Sequence, residues 1–255
     1  MNIIAHVNKL MEKGEIICLA TVIASKNPAI AVGGKFIILG DGSMEGNLGT
    51  GQMELRLRDL ALPILKEKKS RAIDIEDGVR IFFDVLSSES RLLVCGAGHI
   101  ALPLARFCRE VGFKVSVLDD RADFANPARF PDCDIITEEF SIALPDFPMN
   151  SSTYVVIITR GHEHDVDCLL EILNKETAYI GLIGSRRRVH FVLEMLEKKG
   201  IPKNRLKEIF TPIGIPIGGE SPGEIALSIA AELVCVRKKG SHQARLLRAA
   251  VGVDP

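Results

Sequence analysis

The sequence predicts an α/β chain in two parts, a smaller α+β domain followed by a doubly wound parallel sheet. Three observations carry this. In the first third, apolar runs face one another across short turns, as antiparallel strands do. Further on, apolar runs alternate with amphipathic helices, the rhythm of right-handed βαβ crossovers. Between the two parts lies the polar run Ser87–Ser90 (SSES), the one segment that suits a linker. The boundaries that follow are 1–88, 89–240 and a polar C-terminal tail, 241–255. A chain of 255 residues can bury a sizeable core in either part.

Taken in order, MNIIAHVNKLMEKGE reads as a short amphipathic helix and EIICLATVIAS (15–25), β-branched and apolar, as a buried strand. GGKFIIL (33–39) is a second strand, followed by an Asp41-Gly42 turn. Gln52 to Lys69 carries a helical stripe of Leu55, Leu57, Leu60, Ala61 and Leu65, with Pro63 placed to kink it or end it early. RAIDIE (71–76) and VRIFFDVL (79–86) form a hairpin about Asp77-Gly78. After the linker, strands are expected in RLLVC, KVSVLDD, TYVVIITR and AYIGLIG, and helices in IALPLARFCREVG, HDVDCLLEILNK and RRVHFVLEMLEKKG. The last helix opens at Ser221-Pro222-Gly223-Glu224, an N-cap, a proline at the first helical position and the acid of a capping box. Arg237-Lys238-Lys239-Gly240 is its stop signal.

Composition excludes several classes. With 47% hydrophobic and 25% charged residues the chain is not disordered. A net charge of −1 without a long basic run argues against nucleic acid as the main partner, and the absence of Trp leaves few platforms for base stacking. No apolar stretch reaches the ~18 residues of a membrane span. The N-terminus lacks the basic start and apolar core of a secretory signal, so a cytoplasmic location is expected. The six cysteines contain no C-x-x-C pair and no zinc-ligand spacing; they read as free, structural thiols.

Gly96-Ala97-Gly98-His99-Ile100-Ala101 is a G-x-G-x-x-A turn between a strand and a helix. Gly96 permits the tight turn, Gly98 lets backbone approach a phosphate, and Ala101 lets helix pack on strand. Asp119, at the end of the next strand, stands where a ribose-binding carboxylate belongs. These features make the second part Rossmann-like, with NAD or NADP as possible ligands. Arg121 suits a 2′-phosphate and Asp119 opposes one, which tilts the choice slightly toward NAD. His99 follows the second glycine on the phosphate side.

Ligands of such sheets bind beyond the carboxyl ends of the strands, and those ends are polar here. Arg160-Gly161-His162-Glu163-His164-Asp165 could bind a metal, move protons, or simply start a helix. Gly184-Ser185-Arg186-Arg187-Arg188 offers hydroxyl and guanidinium groups to an anion, because cations at a helix N-terminus oppose its dipole. Pro216-Ile217-Gly218-Gly219-Glu220-Ser221 ends at a third helix start. Together these turns are expected to line one crevice.

The blocks LLVCGAGHIALPLA, VLDDRADFANPARFPDCD, TRGHEHD, YIGLIGSRRR and PIGIPIGGESPGEIALSIAAELV, in this order, resemble the XdhC/CoxI family of xanthine dehydrogenase accessory proteins. In the first part, LATVI and EGNLGTGQMEL resemble the family as well, placing Gly46, Gly49, Gly51 and Glu54 on its G-S-I-G-G-G-C-x-E motif. Gln52 stands where that motif has cysteine, Thr50 replaces a glycine, and AIAVGGK lacks an arginine common there. The resemblance implies an accessory protein, more a cofactor-binding chaperone than a dehydrogenase. Such a protein binds molybdenum cofactor and assists its sulfuration and insertion into a xanthine dehydrogenase-type hydroxylase. Its implied partners are that hydroxylase and a cysteine desulfurase-type sulfur donor. Ser185, Arg186 and Arg187 are then candidates for the pterin phosphate, and His162, Glu163 or His164 for the pterin or metal oxo groups. A homodimer is the base-rate expectation. The rival reading is an NAD(P)-dependent oxidoreductase with Asp119 on ribose and His99 or His162 as acid. It lacks a Tyr-x-x-x-Lys or a comparable catalytic set. A third is a scaffold that recruits partners by its surface alone.

Overall fold

The structure, a computed structural model, describes residues 3–46 and 51–250. The chain divides into two compact units, Met1–Ser88 and Glu89–Pro255.

The first unit contains α1 (Ile3–Glu12), β1 (Ile17–Ala24), β2 (Lys35–Leu39), β3 (Met44–Gly46), α2 (Gly51–Glu67), β4 (Arg71–Asp74) and β5 (Arg80–Leu86). Its sheet is antiparallel in the order β3-β2-β1-β5-β4. The two-residue period of β1 sorts its side chains between layers. Cys18, Ala20 and Val22 pack with Leu57, Ala61 and Ile64 of α2, whereas Ile17 packs with Val7 and Leu10 of α1. Pro63 does not end α2, which runs on to Glu67. A proline deprives one carbonyl, that of Asp59, of its donor; both residues are exposed, so water can replace the bond. The hairpin β4–β5 turns through a short 3-10 segment, Glu76–Gly78, with Gly78 at φ 66°.

The second unit contains β6 (Arg91–Cys95), α3 (Ala101–Glu110), β7 (Lys114–Leu118), β8 (Asp134–Ile136), α4 (Phe140–Asp146), β9 (Thr153–Ile157), α5 (His162–Ile172), β10 (Tyr179–Leu182), α6 (Arg186–Lys198), α7 (Lys203–Leu206) and α8 (Pro222–Ala250). All five strands are parallel, in the order β10-β9-β6-β7-β8. The strand order reverses between β6 and β9, the switch point where this architecture opens a crevice. Leu92, Val94, Tyr154 and Val156 face α3 and α8 on one side of the sheet. Leu93, Cys95, Val155 and Ile157 face α4, α5 and α6 on the other. The expected fold class is the observed one.

Two features depart from expectation. Strands β3 and β8 and helices α4 and α7 have no counterpart among the expected elements. The segment after residue 240 is not a polar tail through its described part, either. Gly240 (φ 84°, ψ 164°) interrupts α8, and the chain is helical again to Ala250. Ala244 and Arg248 are buried. Arg248 donates to the Pro212 carbonyl and lies 3.5 Å from the fully buried Glu232 carboxylate. Arg245 lies over the Phe210 ring at 4.0 Å. Arginine stems bury well when the head finds an acceptor, so basic spacing alone concealed this contact. Glu232 also accepts from the Tyr179 hydroxyl and from Gly214 N–H at 3.0 Å.

Cys18, Cys95, Cys108 and Cys168 are buried free thiols; burial pushes Cys18 and Cys108 up to about 12. Among the described residues no helix is long and apolar enough to cross a membrane.

The switch point depends on Gly96. Its φ is 111°, and a Cβ there would lie 2.5 Å from the Ile158 carbonyl oxygen and 3.1 Å from Thr159 Cα. Both obstacles are backbone and cannot swing aside. Gly96→Ala should therefore cost more than about 2 kcal/mol of stability, read as a lower urea midpoint by circular dichroism. A midpoint equal to that of the parent protein would show that the turn tolerates a side chain.

Candidate functional site at the carboxyl edge of the parallel sheet

Four strand ends, those of β9, β10, β6 and β7, meet at this edge. After β9 the chain turns through Thr159, Arg160 and Gly161 into α5. Asp165, in the first turn of α5, has 0% exposure and is held from two sides. Thr159 Oγ1 lies 2.7 Å from Oδ1, and Arg188 Nε and Nη2 lie 2.7 and 2.6 Å from Oδ2. Arg188 Nη2 also donates to the Thr159 carbonyl at 3.1 Å. Burial pushes the Asp165 carboxyl above its ordinary range, against the opposing pull of Thr159 and Arg188. This node joins the β9–α5 turn to the start of α6. Asp165 is thus a positioning residue, with both carboxylate oxygens engaged by Thr159 and Arg188.

Ser185 is the N-cap of α6, its hydroxyl accepting from Arg188 N–H at 3.3 Å. With Arg188 folded back to Asp165, a cavity of about 350 Å³ remains, lined by His162, Ser185, Arg187, Arg188 and Phe191. His162 meets Phe191 edge-on, ring centroids 4.9 Å apart, and the Phe191 ring is 43% exposed. Arg186 and Arg187 are exposed and have no hydrogen-bond or ion-pair partner among the described residues. Two unpaired cations at a helix N-terminus are unfavourable until an anion joins them. Of the two, Arg187 lines the cavity and Arg186 does not. His164 turns elsewhere, against Phe140 at 5.5 Å. The two histidines therefore do not converge, and Glu163 is exposed beside them. Among the described residues no group of three or more His, Cys, Asp or Glu side chains is placed to hold a metal ion.

The glycine turn adjoins the β9 end through Gly96, and Gly98 has open space around its missing Cβ. His99 is exposed, and Ala101 is buried at the start of α3. Asp119 does not stand free to meet a ribose. It is 2% exposed; Oδ1 accepts from Arg121 N and Nε at 3.1 and 2.8 Å, and Oδ2 from Ala97 N and Arg121 Nη2 at 2.8 and 2.9 Å. Burial pushes this carboxyl up, but the Arg121 and backbone bonds outweigh it and hold it below the ordinary range. Arg160, donating to Asp120 at 2.7 Å, ties the β9 end to the β7 end.

The third turn does not share the His162 cavity. Gly218 and Gly219 line a separate one of about 200 Å³ with Arg248 and Ser228. The capping box is formed as expected: Glu224 accepts from Ser221 N and Glu220 N at 2.9 and 3.0 Å, which lowers its carboxyl below the ordinary range. The first amides of this turn are therefore served by its own carboxylate, a poor place for a second anion. Gly219 and Glu220 do not line the His162 cavity, whereas Arg188 and Phe191 do. Both follow from helical spacing: residues three and four beyond Ser185 and Arg187 come round to the same face.

In the first unit, Gly46 ends β3 at φ 125°, where a Cβ would sit 2.8 Å from the Lys35 carbonyl oxygen. Gly51 begins α2 and Glu54 lies in its first turn. Gly49 falls outside the described residues.

The fold and site define a doubly wound, Rossmann-like domain with an arginine-lined cavity at its carboxyl edge. Residues 92–233 match the family described as the XdhC Rossmann domain and residues 10–76 the XdhC and CoxI family. The chain belongs to the XdhC and CoxI family. It is 28% identical over 253 residues to the uncharacterized protein YqeB of Escherichia coli strain K12, covering 93% of this chain and 46% of that protein. It is 31% identical over 160 residues to a probable xanthine dehydrogenase subunit of Bacillus subtilis strain 168, covering 62% of this chain and 46% of that one. The chain thus spans about half the length of these relatives. A crystal structure of a xanthine dehydrogenase from Bacillus halodurans shares the fold, with TM-score 0.56 and 20% identity over 97% of this chain and 99% of that chain.

Arg188→Met strands Asp165 as a buried, unpaired charge and should cost about 3 kcal/mol at neutral pH. Because the folded-state pKa of Asp165 is raised, the folded protein takes up the proton first. The deficit should therefore shrink as pH falls toward the ordinary carboxylate range. Adding Asp165→Asn should restore stability at neutral pH. Urea melts of the three proteins from pH 5 to 8 test this; a deficit independent of pH would refute the pairing.

Proposed function

We propose that this chain is an accessory protein of a xanthine dehydrogenase-type molybdenum hydroxylase that holds molybdenum cofactor as cargo during sulfuration and hand-over. The observation that carries the reading is the cavity between the β9 and β10 ends. Its unpaired guanidinium at Arg187, the Ser185 hydroxyl and the remaining donors of Arg188 suit the cofactor's phosphate. The exposed Phe191 ring and His162 offer flat surfaces to a pterin. Membership of the XdhC and CoxI family supports the reading, as does the name of the Bacillus subtilis relative. In this reading the partners are the hydroxylase apoprotein and a cysteine desulfurase-type sulfur donor, and the working unit is a homodimer. The oxidoreductase alternative is disfavoured because the chain lacks a Tyr-x-x-x-Lys or comparable catalytic set near the glycine turn; the held Asp119 opposes only its NAD form.

Equilibrium dialysis against molybdenum cofactor released anaerobically from a molybdoenzyme tests the proposal, with bound molybdenum and pterin assayed separately. The protein should retain cofactor at micromolar concentration, and inorganic phosphate should compete. Arg187→Ala should weaken binding at least about tenfold, equivalent to about 1.4 kcal/mol, with an unchanged melting temperature. Arg186→Ala should change it little. Retention unaffected by Arg187→Ala, or no retention by the parent protein, would overturn the assignment.

A further inference from the structure

Independently of the cargo cavity, the β7 end carries a second recognition device. We propose that the loop after β7 makes the glycine-turn edge selective for an adenine dinucleotide bearing a 2′-phosphate, of the NADP(H) kind, over the unphosphorylated form.

In this architecture the adenine ribose comes to rest at the end of the second strand, opposite the glycine turn. An NAD-type site offers a carboxylate there to the ribose diol. Asp119 occupies that position, but Ala97 N–H, Arg121 N–H, Arg121 Nε and Arg121 Nη2 fill its acceptor directions. Admitting a diol would exchange charge-assisted bonds from a guanidinium for weaker bonds from neutral hydroxyls. What the site shows a ligand is Arg121, whose side chain is 30% exposed while that of Asp119 is 3% exposed. Its guanidinium carbon lies over the Phe124 ring, 3.8 Å from the centroid, and two of its nitrogens are bonded to Asp119, so its orientation is fixed before any ligand arrives. Arg129 approaches the same ring at 5.0 Å and donates to the Phe124 carbonyl at 2.8 Å. Among the described residues Arg129 has no carboxylate partner, so it adds an uncompensated positive charge. A planar, oriented guanidinium backed by a second cation suits a phosphate monoester. Gly98, with nothing within 4 Å of its missing Cβ, leaves room for the pyrophosphate to approach the backbone. The slight tilt toward NAD expected from Asp119 is thus reversed by what Arg121 does to it.

Fluorescence titration of the intact protein with NADPH and with NADH tests this, with displacement by 2′,5′-ADP and by 5′-ADP. NADPH should bind at least about tenfold more tightly than NADH, and 2′,5′-ADP should displace it at about tenfold lower concentration than 5′-ADP. Arg121→Ala should erase the preference. Because that variant strips the buried Asp119 of its partner, Arg129→Ala provides a second reading that leaves the Asp119–Arg121 pair intact. It should weaken NADPH about threefold or more and leave NADH unchanged. Equal affinity for the two dinucleotides, tighter binding of NADH, no binding of either, or a preference unaltered in both variants would overturn the proposal.

Discussion

Asp165 has no exposed surface, and everything at the carboxyl edge of the parallel sheet follows from how that charge is compensated. A carboxylate in such a place must be paired and hydrogen-bonded or it neutralises. The partner that reaches it, Arg188, comes from the next helix, and the same guanidinium holds the Thr159 carbonyl. The β9–α5 turn and the start of α6 are thereby locked together as the two walls of one cavity. Gly184 permits this fold-back, since even a Cβ there would lie 3.3 Å from Arg188 Cδ. The three consecutive arginines consequently do three different jobs. Arg188 is structural, Arg187 faces the cavity, and Arg186 faces solvent.

The edge uses arginine in two ways. At the β10 end Arg187 is unpaired, and its charge waits for a counter-ion. At the β7 end Arg121 is already neutralised by Asp119, and what it offers is a fixed shape. On the readings proposed above, the first arrangement would favour capture of any suitable anion, and the second discrimination between ligands that differ by one group.

How much of this the sequence disclosed depends on the scale of the feature. The long apolar strands, the glycine turn and the capping box at Ser221 were legible because each is a local pattern with one physical meaning. Strand β8 was not, because its three residues begin with Asp134 and its strand character comes from pairing with Ser116, Val117 and Leu118 of β7. The C-terminal segment was hidden for a related reason: Arg245 and Arg248 read as solvated until Phe210 and Glu232, far away in sequence, are brought beneath them. Site residues divided in the same way. Position along the strand ends pointed to His162, Ser185 and Arg187, which line one cavity. It could not tell that Asp165 and Asp119 would be consumed by their own arginines, since pairing across elements leaves no trace in residue spacing.

The distribution of aromatic side chains has an optical consequence. The chain has no tryptophan and two tyrosines, Tyr154 and Tyr179, both in the second unit and stacked 6.3 Å apart. Tyrosine emission therefore reports on the parallel-sheet unit alone, and the antiparallel unit contributes none. The Tyr179 hydroxyl, bonded to the Glu232 carboxylate, sits in a quenching environment. Emission should brighten when that contact breaks, giving an intrinsic signal for loosening of the segment anchored by Arg248 without any added dye.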